Sequence, residues 1–234
     1  MNLLNTAKNI LLNVLPTHCP LCNLRAYQGE CCQSCESELP WLKQTCKRCG
    51  YTLSINAQNC GACLKNSPPY DHTVALFRYE PPIDHVLLSV KFRKHLAYAH
   101  MLGEIMTRKI QTEYLDKTLP TLILPVPLHQ KRLKERGYNQ ALEIVRPIAR
   151  HLNIPLSLHD CVRTMETQPQ AMVSANQRKQ NVRKAFTLVG KIQAKHVAIF
   201  DDVVTTGSTV AEITQILKKN GVEKVDVWCC ARTL

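Results

Sequence analysis

From residue 70 onward, apolar runs of strand length alternate with segments whose apolar residues return every three or four positions. Residues 73–79, 121–126, 197–200 and 225–231 are rich in β-branched and aromatic side chains and read as strands. Residues 83–114, 139–152 and 208–219 carry the helical period. Helices interleaved with apolar strands predict an α/β domain on a largely parallel sheet, with its ligand crevice at the carboxyl ends of the strands. About 165 residues are enough for one buried core.

The chain before that domain follows a different pattern. Residues 1–15 place Leu3, Leu4, Ala7, Ile10, Leu11, Val14 and Leu15 at helical spacing, with one lysine and no small-residue cleavage site. They predict a short amphipathic helix docked on the protein rather than an export signal. Asn66-Ser67-Pro68-Pro69-Tyr70 reads as a linker, so the expected division is 1–66 and 70–234. No apolar run approaches the eighteen or so residues that a membrane span requires.

Twelve cysteines occur in 234 residues, and nine of them lie between Cys19 and Cys63. They form four C-x-x-C knuckles: Cys19/Cys22, Cys32/Cys35, Cys46/Cys49 and Cys60/Cys63. Two knuckles supply the four thiolates of a tetrahedral zinc, so two structural Zn²⁺ ions are expected. Pairing in sequence order is simplest, with Cys19, Cys22, Cys32 and Cys35 on one ion and Cys46, Cys49, Cys60 and Cys63 on the other. The spacing also permits interleaved pairing. Disulfides would need an oxidising compartment, and residues 1–15 argue for a cytoplasmic, reduced chain. Cys31 is the odd member of its cluster, while Cys161, Cys229 and Cys230 sit in apolar stretches and read as core. Ribbons of this size need metal to fold, and they serve equally as scaffolds or as grips on nucleic acid or a partner.

The segment from Val197 to Thr209 carries the most chemistry: a buried strand, two carboxylates, then a Thr/Gly/Ser turn opening an amphipathic helix. A ribose bearing a 5'-phosphate matches this order of groups. Thr205, Thr206, Gly207, Ser208 and Thr209 can offer amides, hydroxyls and the positive end of a helix to the phosphate. Gly207 lets the backbone approach the anion. Asp201 and Asp202 can accept from the sugar hydroxyls or hold a Mg²⁺ shared with the sugar or its pyrophosphate. A plain helix cap accounts for Ser208 but not for two carboxylates followed by two threonines. No Gly-Lys-Ser/Thr follows the turn, so it is not a nucleotide-triphosphate P-loop. The segment resembles the phosphoribosyl-pyrophosphate (PRPP) motif of type I phosphoribosyltransferases.

Two other segments are expected to border the same crevice. Pro125-Val126-Pro127-Leu128 ends a strand and leads to a basic run in which Arg132 and Arg136 can meet a pyrophosphate, while Asn139 can cap the next helix. Residues 163–185 are polar and basic, with Gln168, Arg178, Lys179, Asn181, Arg183 and Lys184, a composition suited to a loop that closes over an anion.

The paired knuckles, Lys91-Phe92, Pro-Val-Pro-Leu, Arg132 to Gln140, Arg163-Thr164 with Thr167-Gln168, Arg178 with Asn181-Val182, the Asp-Asp-Val-Val-Thr-Thr-Gly-Ser-Thr run and the final Ala231-Arg232 together resemble the ComF/GntX family. The resemblance extends over nearly the whole chain, with Tyr138 where the family commonly has Phe. It implies a type I phosphoribosyltransferase-like domain behind an N-terminal double zinc ribbon. It also implies a competence role in the uptake or processing of incoming single-stranded DNA, alongside other competence-machinery proteins, and a pocket for PRPP with Mg²⁺. Transfer of phosphoribose to a base, amine or nucleic-acid acceptor is the alternative function, with no catalytic residue assigned.

Net charge is +12 and the isoelectric point is near 9.2. Residues 125–185 hold eleven cations against four anions. Such a surplus attracts polyanions and weakens with salt, which suits single-stranded DNA. Tyr27, Trp41, Tyr51 and Tyr138 are the rings considered for stacking unpaired bases. Each four-thiolate zinc site would offset the surplus by a net charge of about −2.

Overall fold

The computed structural model describes residues 17–26, 31–165 and 184–233. The cysteine-rich part contains the short strands β1 (Thr17–His18) and β2 (Arg25–Ala26), then helices α1 (Gln33–Ser37) and α2 (Gly61–Lys65). The domain that follows runs β3 (His72–Arg78), α3 (Ile83–Phe92), α4 (Leu96–Glu113), β4 (Leu122–Pro125), α5 (Gln130–Arg136) and α6 (Gln140–Leu152). It ends with β5 (Cys161–Arg163), β6 (Phe186–Leu188), β7 (His196–Val204), α7 (Ser208–Lys219) and β8 (Lys224–Arg232). Strands β3, β8, β7 and β4 lie side by side in that order, all parallel.

Side chains alternate across the sheet with the period of two that strands impose. Ala198 and Phe200 of β7 join a core with Val86 of α3, Met106 of α4 and Ile148 of α6. Val197 and Ile199 join the opposite core, with Ile213 and Leu217 of α7 and Phe186 of β6. These four β7 residues are fully buried, as expected of a parallel sheet covered on both faces. Gly103 brings α4 against α6, since a Cβ there would overlap Pro147 and the Ile144 carbonyl.

Helix α5 and strands β5 and β6 had no counterpart in the sequence reading, and two of the expected elements differ from it. The helical stretch 83–114 breaks at Arg93 to His95, where Lys94 takes a left-handed φ of 57°. Residues 92–97 are all exposed, so no packed apolar face carries the helix across. Strand β7 in turn outruns its apolar core, because β8 pairs with it as far as Val204 and Arg232. Asp201 and Asp202 therefore lie within the strand, which extends two residues past them.

The ribbon part is built onto the sheet edge. Leu42 N donates to Leu76 O and Arg78 N to Pro40 O, both at 2.8 Å, so the chain from Pro40 to Leu42 covers the outer edge of β3. Thr73 N donates to Lys47 O at 2.8 Å, and Glu36 pairs with Arg108 at 2.7 Å. Tyr70, at the end of the expected linker, is buried.

At the amino ends of the strands, buried Asp226 accepts from Tyr114 Oη at 2.7 Å and lies 2.7 Å from His196 Nε2. Burial alone would raise its carboxyl, but His196 and Tyr114 hold it below its ordinary value. Glu113 contacts His72, Lys117 and Lys47 at 3.3, 2.7 and 2.9 Å. His72 is the leading cause that keeps its carboxyl far below the usual range.

Hairpin β5–β6 anchors the two ends of the polar stretch 163–185. Gln168, Arg178, Lys179, Asn181 and Arg183, the amphipathic segment 1–15 and Tyr27 lie outside the described residues.

Candidate functional site

The cysteine quartets assemble in sequence order. One sulfur from each of Cys19, Cys22, Cys32 and Cys35 lies within 4.8 Å of the others, and the same holds for Cys46, Cys49, Cys60 and Cys63. The sulfurs of Cys22 and Cys32 are 3.6 Å apart, and those of Cys49 and Cys60 are 3.7 Å apart. A tetrahedral ion with Zn–S bonds of about 2.3 Å spaces its sulfurs by about 3.8 Å, so both quartets fit a structural zinc. Burial would raise the Cys19 thiol, yet the amides of Cys32, Cys22 and Leu21 bring it down to about 6. Against the same effect of burial, the amides of Cys49, Cys60 and Arg48 bring Cys46 down to about 7. Each quartet thus contains one thiol predisposed to the thiolate form that metal takes. Cys31 belongs to neither, and burial pushes it up to about 12. Cys161, Cys229 and Cys230 are buried in the domain, with thiols raised by burial.

At the carboxyl ends of the strands lies a cleft of about 590 Å³. Asp201, Asp202, Thr205, Thr206, Gly207, Ser208, Thr209, Arg132 and Arg136 all border it, so the residues singled out for a ribose phosphate converge from β7, α5 and the turn before α7. Gly207 caps α7 with φ of 76° and contributes no capping side chain. A Cβ at that position would come 2.9 Å from Tyr70 Oη, so space as well as backbone conformation requires glycine. Thr206 Oγ1 and Ser208 Oγ sit 2.8 Å apart beside it.

Among the described residues, no salt bridge reaches the acidic wall. Asp202 is 8% exposed, and its amide donates to Asp201 Oδ1 at 3.0 Å. Burial, then the neighbouring Asp202 charge, pushes the Asp201 carboxyl well above the usual carboxylate range. On the basic wall, Arg132 and Arg136 are one turn apart on α5, and Arg163 enters from β5. Burial, followed by the charge of Arg132, presses both Arg136 and Arg163 below their ordinary values. The cleft therefore crowds like charges on each wall, an arrangement that a ligand carrying both anionic and cationic groups relieves.

Asn139 caps α6 as expected, with Oδ1 accepting from Ala141 N and Nδ2 donating to Val126 O, both at 3.0 Å. Tyr138 and Trp41, weighed as stacking rings, are used internally. Tyr138 Oη donates to Val90 O, while Trp41 packs 4.7 Å from the Phe77 ring and donates to Glu36 O. Tyr51 is exposed.

In the sequence Arg232 is only the end of a motif. It is buried and donates to Cys49 O at 3.1 Å, Val204 O at 2.9 Å, Thr233 O at 3.1 Å and Thr205 O. One guanidinium thus ties the second quartet to the turn that borders the cleft. The available signal was a cation closing a fully apolar strand. Phe92, Lys91, Tyr79 and Gln140 also line the cleft. No helix among the described residues is long and apolar enough to cross a membrane.

The phosphoribosyl transferase domain family matches residues 139–233, and the double zinc ribbon domain family matches residues 10–64. DNA utilization protein YhgH of Shigella flexneri is 36% identical over 94% of this chain and 99% of its own. Competence protein F of Haemophilus influenzae is 34% identical over 95% of this chain and 100% of its own. Among solved structures, a glutamine phosphoribosylpyrophosphate amidotransferase from B. subtilis aligns over 56% of this chain and 25% of its own, at 18% identity and a TM-score of 0.36, too loose for any argument to rest on it. With 34–36% identity to these relatives over nearly its whole length, two four-cysteine quartets and a parallel sheet of phosphoribosyltransferase type, the chain belongs to the ComF/GntX family.

Proposed function

We propose that the protein supports natural transformation in the cytoplasm by handling incoming single-stranded DNA, and that its cleft takes PRPP with Mg²⁺. The observation that carries the ligand reading is the convergence of the Asp201–Asp202 wall, the Gly207 turn and the Arg132–Arg136 wall on one cavity. Asp201 and Asp202 would accept from the sugar hydroxyls and hold Mg²⁺, which relieves their mutual repulsion. The turn from Thr205 to Thr209 would take the 5'-phosphate on amides and hydroxyls. Arg132 and Arg136 would pair with the pyrophosphate oxygens. The names of full-length relatives and the charge of +12 support the DNA part of the reading. Reduced four-thiolate zinc sites suit a cytoplasmic setting.

The test is genetic. Deleting the gene is expected to abolish recovery of transformants, and the double variant Asp201→Asn/Asp202→Asn is expected to leave the deletion uncomplemented. Transformation at the parental frequency in the deletion strain would remove this reading. The two facing walls also favour a second reading, in which the sugar's bond to pyrophosphate breaks while a base, amine or nucleic-acid group bonds to the anomeric carbon. Arg132 and Arg136 would then stabilise the departing pyrophosphate. Pyrophosphate release from PRPP in the presence of nucleobases or single-stranded DNA would establish transfer, and no release with any of them rules against it.

A further inference from the structure

We propose that the mouth of the cleft is a stacking platform for an unpaired base of a single-stranded nucleic acid, with Phe92 as the ring and Lys91 and Arg136 beside it for the adjoining phosphates. The proposal rests on the reading of the protein as a handler of single-stranded DNA, but not on PRPP occupying the cleft.

Three of the four phenylalanines, Phe77, Phe186 and Phe200, are buried, whereas Phe92 is 64% exposed. It is the last residue of α3 and lines the cleft, as does Leu88 one turn earlier, itself exposed. An apolar strip at the rim of a charged cavity gains by being covered. Cations already sit against the ring, with Arg136 Cζ 5.2 Å and Lys91 Nζ 5.6 Å from its centroid. Arg93 and Lys94 follow on the exposed turn, and no acidic residue occurs from position 85 to 103. The hydrogen bond from Tyr138 to the Val90 carbonyl holds the end of α3 against the segment between α5 and α6, so the platform is positioned by the fold.

Charge complementarity decides the occupant. A ring met by Lys91 and Arg136, with Arg93 and Lys94 next in the chain and Arg132 on the same cleft, suits a polymer that alternates flat apolar faces with anions, which is a single strand. In a duplex the base faces are stacked on one another and unavailable to the ring. The carboxylates of an acidic peptide would use the cations but offer no flat face to the ring.

The experiment uses the full-length, zinc-loaded protein and a fluorescently labelled thymidine oligonucleotide, read by anisotropy at several salt concentrations. Phe92→Ala is expected to weaken binding by about tenfold while keeping the salt dependence, because the phosphate contacts remain. Phe92→Trp is expected to retain affinity. Its added indole emission, above that of Trp41 and Trp228, should be quenched by the oligonucleotide but not by an abasic strand of equal length. Equal binding by wild type and Phe92→Ala, equal quenching by the abasic strand, or no binding by wild type would each overturn the platform. Titration of wild type with PRPP and Mg²⁺ is read separately, and its failure would remove the sugar-phosphate reading while leaving the quenching result standing.

Discussion

At the amino ends of β7 and β8, Asp226 is buried and met by Tyr114 and His196, and nearby Glu113 is met by His72, Lys117 and Lys47. At the carboxyl end of β7, Asp201 and Asp202 stand side by side, and among the described residues neither has a salt-bridge partner. One end of the domain therefore holds Asp226 of the sheet and Glu113 of α4 below their ordinary pKa, while the other end pushes Asp201 well above it. A carboxylate surrounded by the protein's own donors is structural. A pair that the protein leaves in mutual repulsion marks the place where an external cation or hydroxyl is expected.

The largest expected effect is at the closed end. Asp226→Ala strands His196 and the Tyr114 hydroxyl, which also accepts from Trp228 Nε1 at 3.1 Å. It should cost about 3–5 kcal/mol of unfolding free energy in denaturant titration. Wild-type stability in that variant would mean that the two ends do not differ as described.

Next comes the brace behind the open end. Arg232→Lys keeps the charge but loses the planar fork that serves four carbonyls, so about 1–3 kcal/mol of stability should be lost. Zinc content by metal analysis should stay at two ions per chain, while PRPP affinity falls by about tenfold as the turn loosens. Undiminished affinity would confine Arg232 to a packing role.

Substitution at the open end should act in the opposite direction. Asp201→Asn removes a like-charge neighbour, so the unliganded protein should be as stable as wild type or gain up to about 1 kcal/mol. The thermal stabilisation conferred by PRPP with Mg²⁺ should disappear in the same variant. Ligand-induced shifts equal to those of wild type would contradict the assignment.

Acid sharpens the contrast through the sign of its effect. Asp226 and Glu113 have depressed folded pKa values, so their contribution is present above the unfolded value near 4 and is lost as pH falls through the lower folded values. Asp201 has a raised folded pKa, so the native state binds its proton more tightly, and stability declines as pH rises from about 4 toward that raised value. Asp201→Asn should remove this second slope and leave the first, as measured by denaturation from about pH 2 to 7.

Much of this architecture was legible because it follows from period and spacing. The apolar runs placed β3, β4, β7 and β8, and the knuckles placed both quartets, with only the pairing left to three dimensions. Seven of the nine candidate residues of the cleft could be named because a strand end and the turn after it have few ways to point, whereas Arg132 and Arg136 were named from the charge of the run that follows β4. The break at Lys94 was hidden, since helical periodicity continues on either side of it and the loss of packing there is a tertiary fact. The clamp of Arg232 on Cys49 joins residues 183 positions apart, and nothing local announces it. Phe92 stood out only as half of the Lys91-Phe92 pair, with no role attached, because exposure at the rim of a cavity is not encoded in spacing.

Calorimetric titration of the zinc-loaded protein with PRPP and Mg²⁺, run on wild type and on Asp201→Asn/Asp202→Asn, tests the central claim most directly. Saturable one-site binding that requires Mg²⁺ in wild type, and its loss in a double variant that remains folded, is the predicted result. Binding of equal strength in both proteins, or none in wild type, would contradict the account.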